Sequence, residues 1–289
     1  MTINESDIDN VGTCALCDKE KITLKESHSI PKFAYEWIKT TSKTPFLRQI
    51  DNINIRHQDG PKEYLLCGSC EKTLSVMEKE LAERLFKKVA NYRQQTTNVI
   101  VTETMRIGIL SIFWRAILTT RHRKNSRTDE DNLILEQFLT DIKAQIRDGQ
   151  CKTKIFITPF FGEPPYYGLP SKMTYELERS IGGQDTRFFD NPHRFFMTFK
   201  LPFMYFHIFS NGWSESEILK SSEFLSGELN LDRIKKIPDV LQYYIKNMHS
   251  HSEASKSQMN KANLSQIRAD AERNKSITGS DKSMERSQL

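Results

Sequence analysis

The chain has 289 residues, 37% of them hydrophobic and 27% charged, with a formal net charge of +5 at neutral pH. That length holds one large domain or two, with a packed core, and 17 Phe, 9 Tyr and 3 Trp supply its bulk. The mild positive balance permits a polyanionic partner without requiring one, and no apolar run is long enough for a membrane-spanning helix.

Residues 1–11 read as a loose polar arm without the apolar centre of a signal peptide, so a reducing, cytoplasmic setting is expected. Cys14 and Cys17 form one Cys-x2-Cys pair and Cys67 and Cys70 a second, taking four of the five cysteines. A two-residue spacer turns both sulfurs toward one point, and two such pairs close the tetrahedral shell of a structural zinc ion. Between the pairs, Ile22, Leu24 and Ser27-His28 predict a short strand, and residues 31–40 a helix with Pro31 in its first turn. Residues 41–62 read as an irregular polar loop that carries Arg48, Asn52, Asn54, Arg56, His57 and Lys62. Glu63–Leu66 predict a second strand, and from Cys70 an amphipathic helix runs to about residue 95, with Leu74, Met77, Leu81 and Leu85 on its apolar face.

Knuckle, strand ending in a histidine, strand, knuckle, helix is the plan of a treble clef. Over residues 14–87 it resembles the zinc-stabilised HNH (His-Me finger) nucleases. The matching pieces are Cys14-Ala-Leu-Cys17, Ser27-His-Ser-Ile-Pro31, and Leu65-Leu-Cys-Gly-Ser-Cys70 opening a helix. The resemblance implies a metal-dependent endonuclease, with His28 as the general base and a magnesium or manganese ion stabilising the leaving oxygen. It also implies a nucleic-acid substrate, DNA in preference to RNA. Around the base the chain departs from the family pattern. Ser27 precedes the histidine, Lys62 stands at the middle asparagine, and Glu71 and Ser75 take the helix histidines. Glu71, Ser75 and Glu78 share one helix face, and Asp59 lies in the loop before the second strand, so Glu71, Glu78 and Asp59 are candidate ligands for the divalent ion. The plainer reading makes Glu71 an acid at a helix N-terminus and Glu78 part of a solvated face. Arg56 and Lys62 are candidate phosphate contacts. The alternative is a non-catalytic zinc module that binds nucleic acid or a partner protein.

Residues 12–95 are thus expected to form the treble-clef domain and residues 99–248 a second, α+β domain. Residues 104–120 are apolar nearly all round and predict a buried helix, whose Arg106 and Arg115 either meet a buried partner, the reading preferred, or point into a cleft. Arg121, Arg123, Lys124 and Arg127 form the densest basic cluster, a candidate phosphate-contacting strip. Thr128 then caps a helix that ends at Gly149. Residues 154–158, 194–200 and 203–209 predict strands, the last two antiparallel, and Pro238 opens a further helix. Residues 249–289 are too polar to pack and are expected to be disordered or to fold on a protein partner. The fold class expected is α+β: an N-terminal zinc treble clef (ββα) and a mixed helical and antiparallel-β domain. The cofactors expected are structural zinc and catalytic magnesium or manganese, and no membrane partner is expected.

Overall fold

A computed structural model describes residues 10–121, 127–189 and 193–289. The chain is mixed α and β, and every strand pairing among the described residues is antiparallel. It begins with β1 (Val11–Gly12), β2 (Ile22–His28), α1 (Lys32–Thr40), β3 (Leu47–Gln49), β4 (Asn52–His57), β5 (Lys62–Cys67) and α2 (Gly68–Leu81). β1, β2 and β5 form a three-stranded sheet in that order. In it Leu24 faces Cys67 and His28 faces Lys62. This is the ββα plan expected, with one addition. Residues 41–62 are not irregular throughout, because β3 and β4 pair as a hairpin with Arg48 opposite Arg56. Arginines at facing positions hide the hairpin from a hydropathy reading.

The helix after the second knuckle passes through a π turn (Ala82–Phe86) into α3 (Lys87–Val89) and stops there, short of residue 95. The wider turn brings the adjacent Leu85 and Phe86 both into the core. Next come β6 (Asn98–Val101) and α4 (Glu103–Thr120), with Thr102 accepting from the Met105 N–H as its cap. Every residue of α4 from Met105 to Ile117 is buried. The helix packs against α2, with Gly108 on Met77: a Cβ on Gly108 would lie 3.3 Å from Met77 Cβ. On its other sides it meets α5 (Asp129–Asp148), β8 (Gly182–Phe189) and β9 (Arg194–Leu201). Thr128 and Asp131 form the capping box of α5, and Gly149 ends it at φ 70°.

With β7 (Phe156–Pro159), β10 (Met204–Phe209) and β11 (Ser222–Glu223), β8 and β9 make a five-stranded sheet in the order β11-β7-β10-β9-β8. β12 (Gly227–Asn230) pairs with β6. Two short helices are α6 (Thr174–Arg179) and α7 (Glu215–Leu219), and α8 (Asp239–Ser257) sets Tyr244 against Tyr205 of β10 and Arg187 of β8. One apolar core runs from Cys14 and Leu66 through Leu81, Leu110 and Trp114 to Phe199, Phe206 and Tyr244, so residues 12–95 and 99–248 share it.

Residues 249–289, expected to be disordered or partner-dependent, are instead helical and seated on the body of this chain. α8 runs on to Ser257, and α9 (Lys261–Arg273) and α10 (Gly279–Arg286) follow. Polar contacts seat them, which explains why hydrophobic periodicity does not reveal them. Fully buried Glu178 accepts from Arg286 Nε at 2.8 Å and from Ser283 Oγ at 2.5 Å. Tyr166 OH and the Gly162 carbonyl bond the Arg286 Nη2 at 2.7 and 2.6 Å. Among the described residues no helix is long and apolar enough to cross a membrane.

Candidate metal centre and the histidine beside it

The two knuckles are brought together by backbone bonding before any metal is considered. The Cys14 N–H donates to the Lys19 carbonyl and the Asp18 N–H to the Cys14 carbonyl, which turns the first knuckle tightly. The Ala15 N–H donates to Leu65 O at 2.9 Å and the Cys67 N–H to Cys14 Sγ at 3.3 Å, which ties that knuckle to β5. Lys143 and Arg147 on α5 hold Asp18 from outside. As a result the Sγ atoms of Cys14, Cys17, Cys67 and Cys70 all lie within 4.8 Å of one another. Cys17 Sγ and Cys67 Sγ are 3.8 Å apart. A tetrahedron with Zn–S bonds of about 2.3 Å has edges of about 3.8 Å, so the donor set and its spacing fit a zinc ion. Burial alone would raise the Cys14 thiol, but the backbone N–H groups of Cys17, Cys67 and Leu16 bring it down to about 7. Burial and the neighbouring cysteines push Cys70 well above the usual thiol range. A metal ion holds all four as thiolates. The four cysteines are a site able to hold a structural metal such as zinc.

His28 ends β2 beside this centre. Its Nε2 lies 3.0 Å from Asp59 Oδ1, and Lys62 Nζ lies 3.0 Å from Asp59 Oδ2 and 3.2 Å from Glu26. The Gly60 N–H also donates to Asp59, at 2.9 Å. Burial alone would raise the Asp59 carboxyl, but Lys62, His28 and the Gly60 N–H overcome that and hold it at about 2. Nε2 is buried, and at this 3.0 Å separation it makes no well-aligned hydrogen bond to the carboxylate. The His28 side chain as a whole is 14% exposed. Tyr35 backs the ring, 5.9 Å away between centroids. Only glycine fits at position 60, because a Cβ there would lie 2.1 Å from Tyr35 Cζ.

The structure therefore brings His28, Asp59 and Lys62 together, and leaves Glu71 and Glu78 out. Glu71 accepts from the buried Ser27 Oγ at 2.6 Å. Glu78 pairs with Arg115, which is 1% exposed and also donates to the His28 carbonyl at 2.8 Å. Among the described residues two sets of side chains are close enough to share one ion: the four cysteines, and Glu176, His249 and Glu253. In the second, Lys256 already supplies the cation, at 2.7 Å from Glu176 and 2.8 Å from Glu253. The expected ion site of Asp59, Glu71 and Glu78 beside His28 is thus not assembled, because each carboxylate has a different cationic or hydroxyl partner. The candidate phosphate contacts that are described each have protein partners. Arg56 stacks over Phe46 and lies 3.8 Å from Asp270 of α9. Arg121 faces Glu136 at 3.3 Å, and Arg127 bonds Asn132 at 3.0 Å. Arg123 and Lys124 lie outside the described residues.

No protein-family model, curated protein or solved structure matches this chain. The likeness to HNH nucleases stands on the local ββα plan, the four cysteines and the strand-end histidine alone. Sequence reasoning missed Arg115 and Tyr35 as neighbours of that histidine. The signal for Arg115 is its place on an all-apolar helix, where a buried partner or a cleft has to receive it, but nothing in the sequence names Glu78 as that partner.

Proposed function

We propose that this chain is a zinc-stabilised, HNH-like protein that acts on nucleic acid and hydrolyses phosphodiester bonds with His28 as the general base. One observation carries the reading: at the end of β2 the Asp59 carboxylate lies 3.0 Å from one ring nitrogen of His28, whose side chain keeps 14% of its surface exposed. A carboxylate on one side of an imidazole sets its orientation and favours proton uptake on the other. Lys62, on the facing strand position, is a cation beside the same ring. Magnesium or manganese chemistry does not fit the carboxylates present, since both oxygens of Asp59 are engaged and Glu71 and Glu78 turn elsewhere. No step is assigned to such an ion.

A second reading is a non-catalytic zinc module that binds nucleic acid or a protein partner. The engagement of Glu71 by Ser27 and of Glu78 by Arg115 favours it. A nicking assay on supercoiled plasmid separates the two. Zinc-loaded wild type, His28→Ala and Asp59→Asn would be compared in chelator-free buffer, with and without magnesium or manganese. Nicking by wild type that falls at least about a hundredfold in His28→Ala, with zinc content and helicity unchanged, supports the catalytic reading. Absence of nicking from wild type, combined with retained binding to the same DNA, supports the module. Nicking that survives His28→Ala rejects His28 as the base.

A further inference from the structure

The β3–β4 hairpin sets Arg48 and Arg56 directly opposite each other. Like charges facing each other across a ladder destabilise it. Burial and then the facing Arg56 both lower the Arg48 pKa, while Asp270 acts in the opposite direction. Within the hairpin Arg48 Nη1 donates to the Ile53 carbonyl at 2.6 Å, and the tail supplies an anion to Arg56. Asp270, 6% exposed on α9, sits 3.8 Å from Arg56 and also bonds Arg273 at 2.7 Å and Gln266 at 3.0 Å. A second tail carboxylate, Asp281, lies 2.6 Å from Lys43 just before β3. Asn54 of β4 completes the contact. It donates to the Gln258 carbonyl at 3.1 Å and accepts from the Asn260 N–H at 2.9 Å. α9 is thus held on the hairpin by charge and hydrogen bonds, and Arg56 stays 39% exposed beneath it. A ligand with regularly spaced anionic oxygens offers the same chemistry as these two carboxylates.

We propose that Lys43, Arg48, Asn54 and Arg56 form a seat for the phosphate backbone of nucleic acid, and that α9 and α10 keep it covered, with Asp270 and Asp281 in the places of phosphates. This rests on the nucleic-acid reading above and adds to it a binding surface and a means of holding that surface closed. The tail is not simply removable: Arg286 and Ser283 donate to the buried Glu178, and truncation would leave that carboxylate with Tyr166 OH alone and no cation. The test therefore neutralises the two contacts in the full, zinc-loaded chain.

Fluorescence anisotropy of a short labelled DNA duplex would be measured at two salt concentrations for wild type and for Asp270→Asn/Asp281→Asn. Two further variants complete the set: the released chain carrying Arg56→Ala, and Glu228→Gln/Asp232→Asn, which makes the same net-charge change away from the hairpin. Hydrogen exchange of the α9 amides reports release. The proposal expects faster α9 exchange and about tenfold tighter binding in the released variant, with a steeper salt dependence. It expects loss of that gain with Arg56→Ala, and little gain in the charge control. Faster α9 exchange with unchanged affinity overturns the seat. Unchanged α9 exchange overturns the role of the two carboxylates. An equal gain in the charge control reduces the effect to net charge and also overturns the seat. Binding that is the same in every variant places the nucleic-acid surface elsewhere, and absence of binding by every variant at low salt overturns the nucleic-acid reading itself.

Discussion

Asp59 keeps its negative charge in a half-buried position because Lys62 and the Gly60 N–H bond it and the His28 ring lies 3.0 Å away. Its pKa is held at about 2 against burial, which alone would raise it. The folded value is thus below the unfolded one of about 3.9. The stabilisation is fully present above the unfolded value and is lost as pH falls through about 2. Asp59→Asn is expected to cost about 1–2 kcal/mol at neutral pH, with the gap from wild type closing toward pH 2. Urea denaturation at a series of pH values checks this, and a gap independent of pH would mean that the carboxylate is not what stabilises the site. At this scale the cysteines were the most legible residues, because their ligand spacing is local. The place of His28 at the end of a strand was legible as well. Glu71 and Glu78 were misplaced because their partners, Ser27 and Arg115, lie 44 and 37 residues away in the chain. Only the packing of α2 between the treble-clef sheet and α4 decides those pairings.

Among the elements, α4 is the one against which both halves pack, and its apolar run announced it. What the run does not show is how α4 is registered on α2. That register depends on Gly108, which lets Met77 approach, and on Arg115, which reaches across to Glu78 and to the carbonyl that ends β2. Arg115→Ala leaves a largely buried carboxylate and a carbonyl without their donor, and is expected to destabilise by about 3–5 kcal/mol. Replacing the pair together, Arg115→Met with Glu78→Met, removes both charges and keeps volume, and is expected to recover more than half of that loss. Chemical denaturation of the single and double variants measures the coupling, and additive losses would show that the two side chains stabilise α4 independently. The β3–β4 hairpin is the contrasting case. Its facing arginines are destabilising as a local pair, and the hairpin is completed by Asp270, more than two hundred positions later in the chain. Local pattern reading has no access to that anion, and so the segment read as loop and the helix that serves it read as disorder.

For the molecule as a whole, the polar stretch Asn91–Asn98 invited a domain boundary, yet its side chains act as ties. Gln95 donates to the Val89 and Phe160 carbonyls at 2.8 and 3.2 Å and accepts from the Gly162 N–H at 2.8 Å. Trp37 of α1 donates to the Ala90 carbonyl at 3.1 Å and contacts Phe203 at the β9–β10 turn. Polar composition marks a linker only when the polar groups bond to water, and here they bond across the junction. Cys14 and Cys67 belong to the same apolar core as Leu110, Trp114 and Phe206. Removal of the metal from the four-cysteine site should therefore be felt beyond the treble clef. The zinc-loaded chain is expected to unfold in a single calorimetric transition, with calorimetric and van't Hoff enthalpies that agree. Chelation, or Cys67→Ser, is expected to lower that one midpoint by at least about 10 °C, since structural zinc contributes directly to folding free energy. Circular dichroism of the helices and fluorescence of Trp114 and Trp213 should shift together. If chelation instead melts a small fraction of the structure and leaves the tryptophan transition in place, the zinc unit folds apart from the sheet, and the shared core does not couple them.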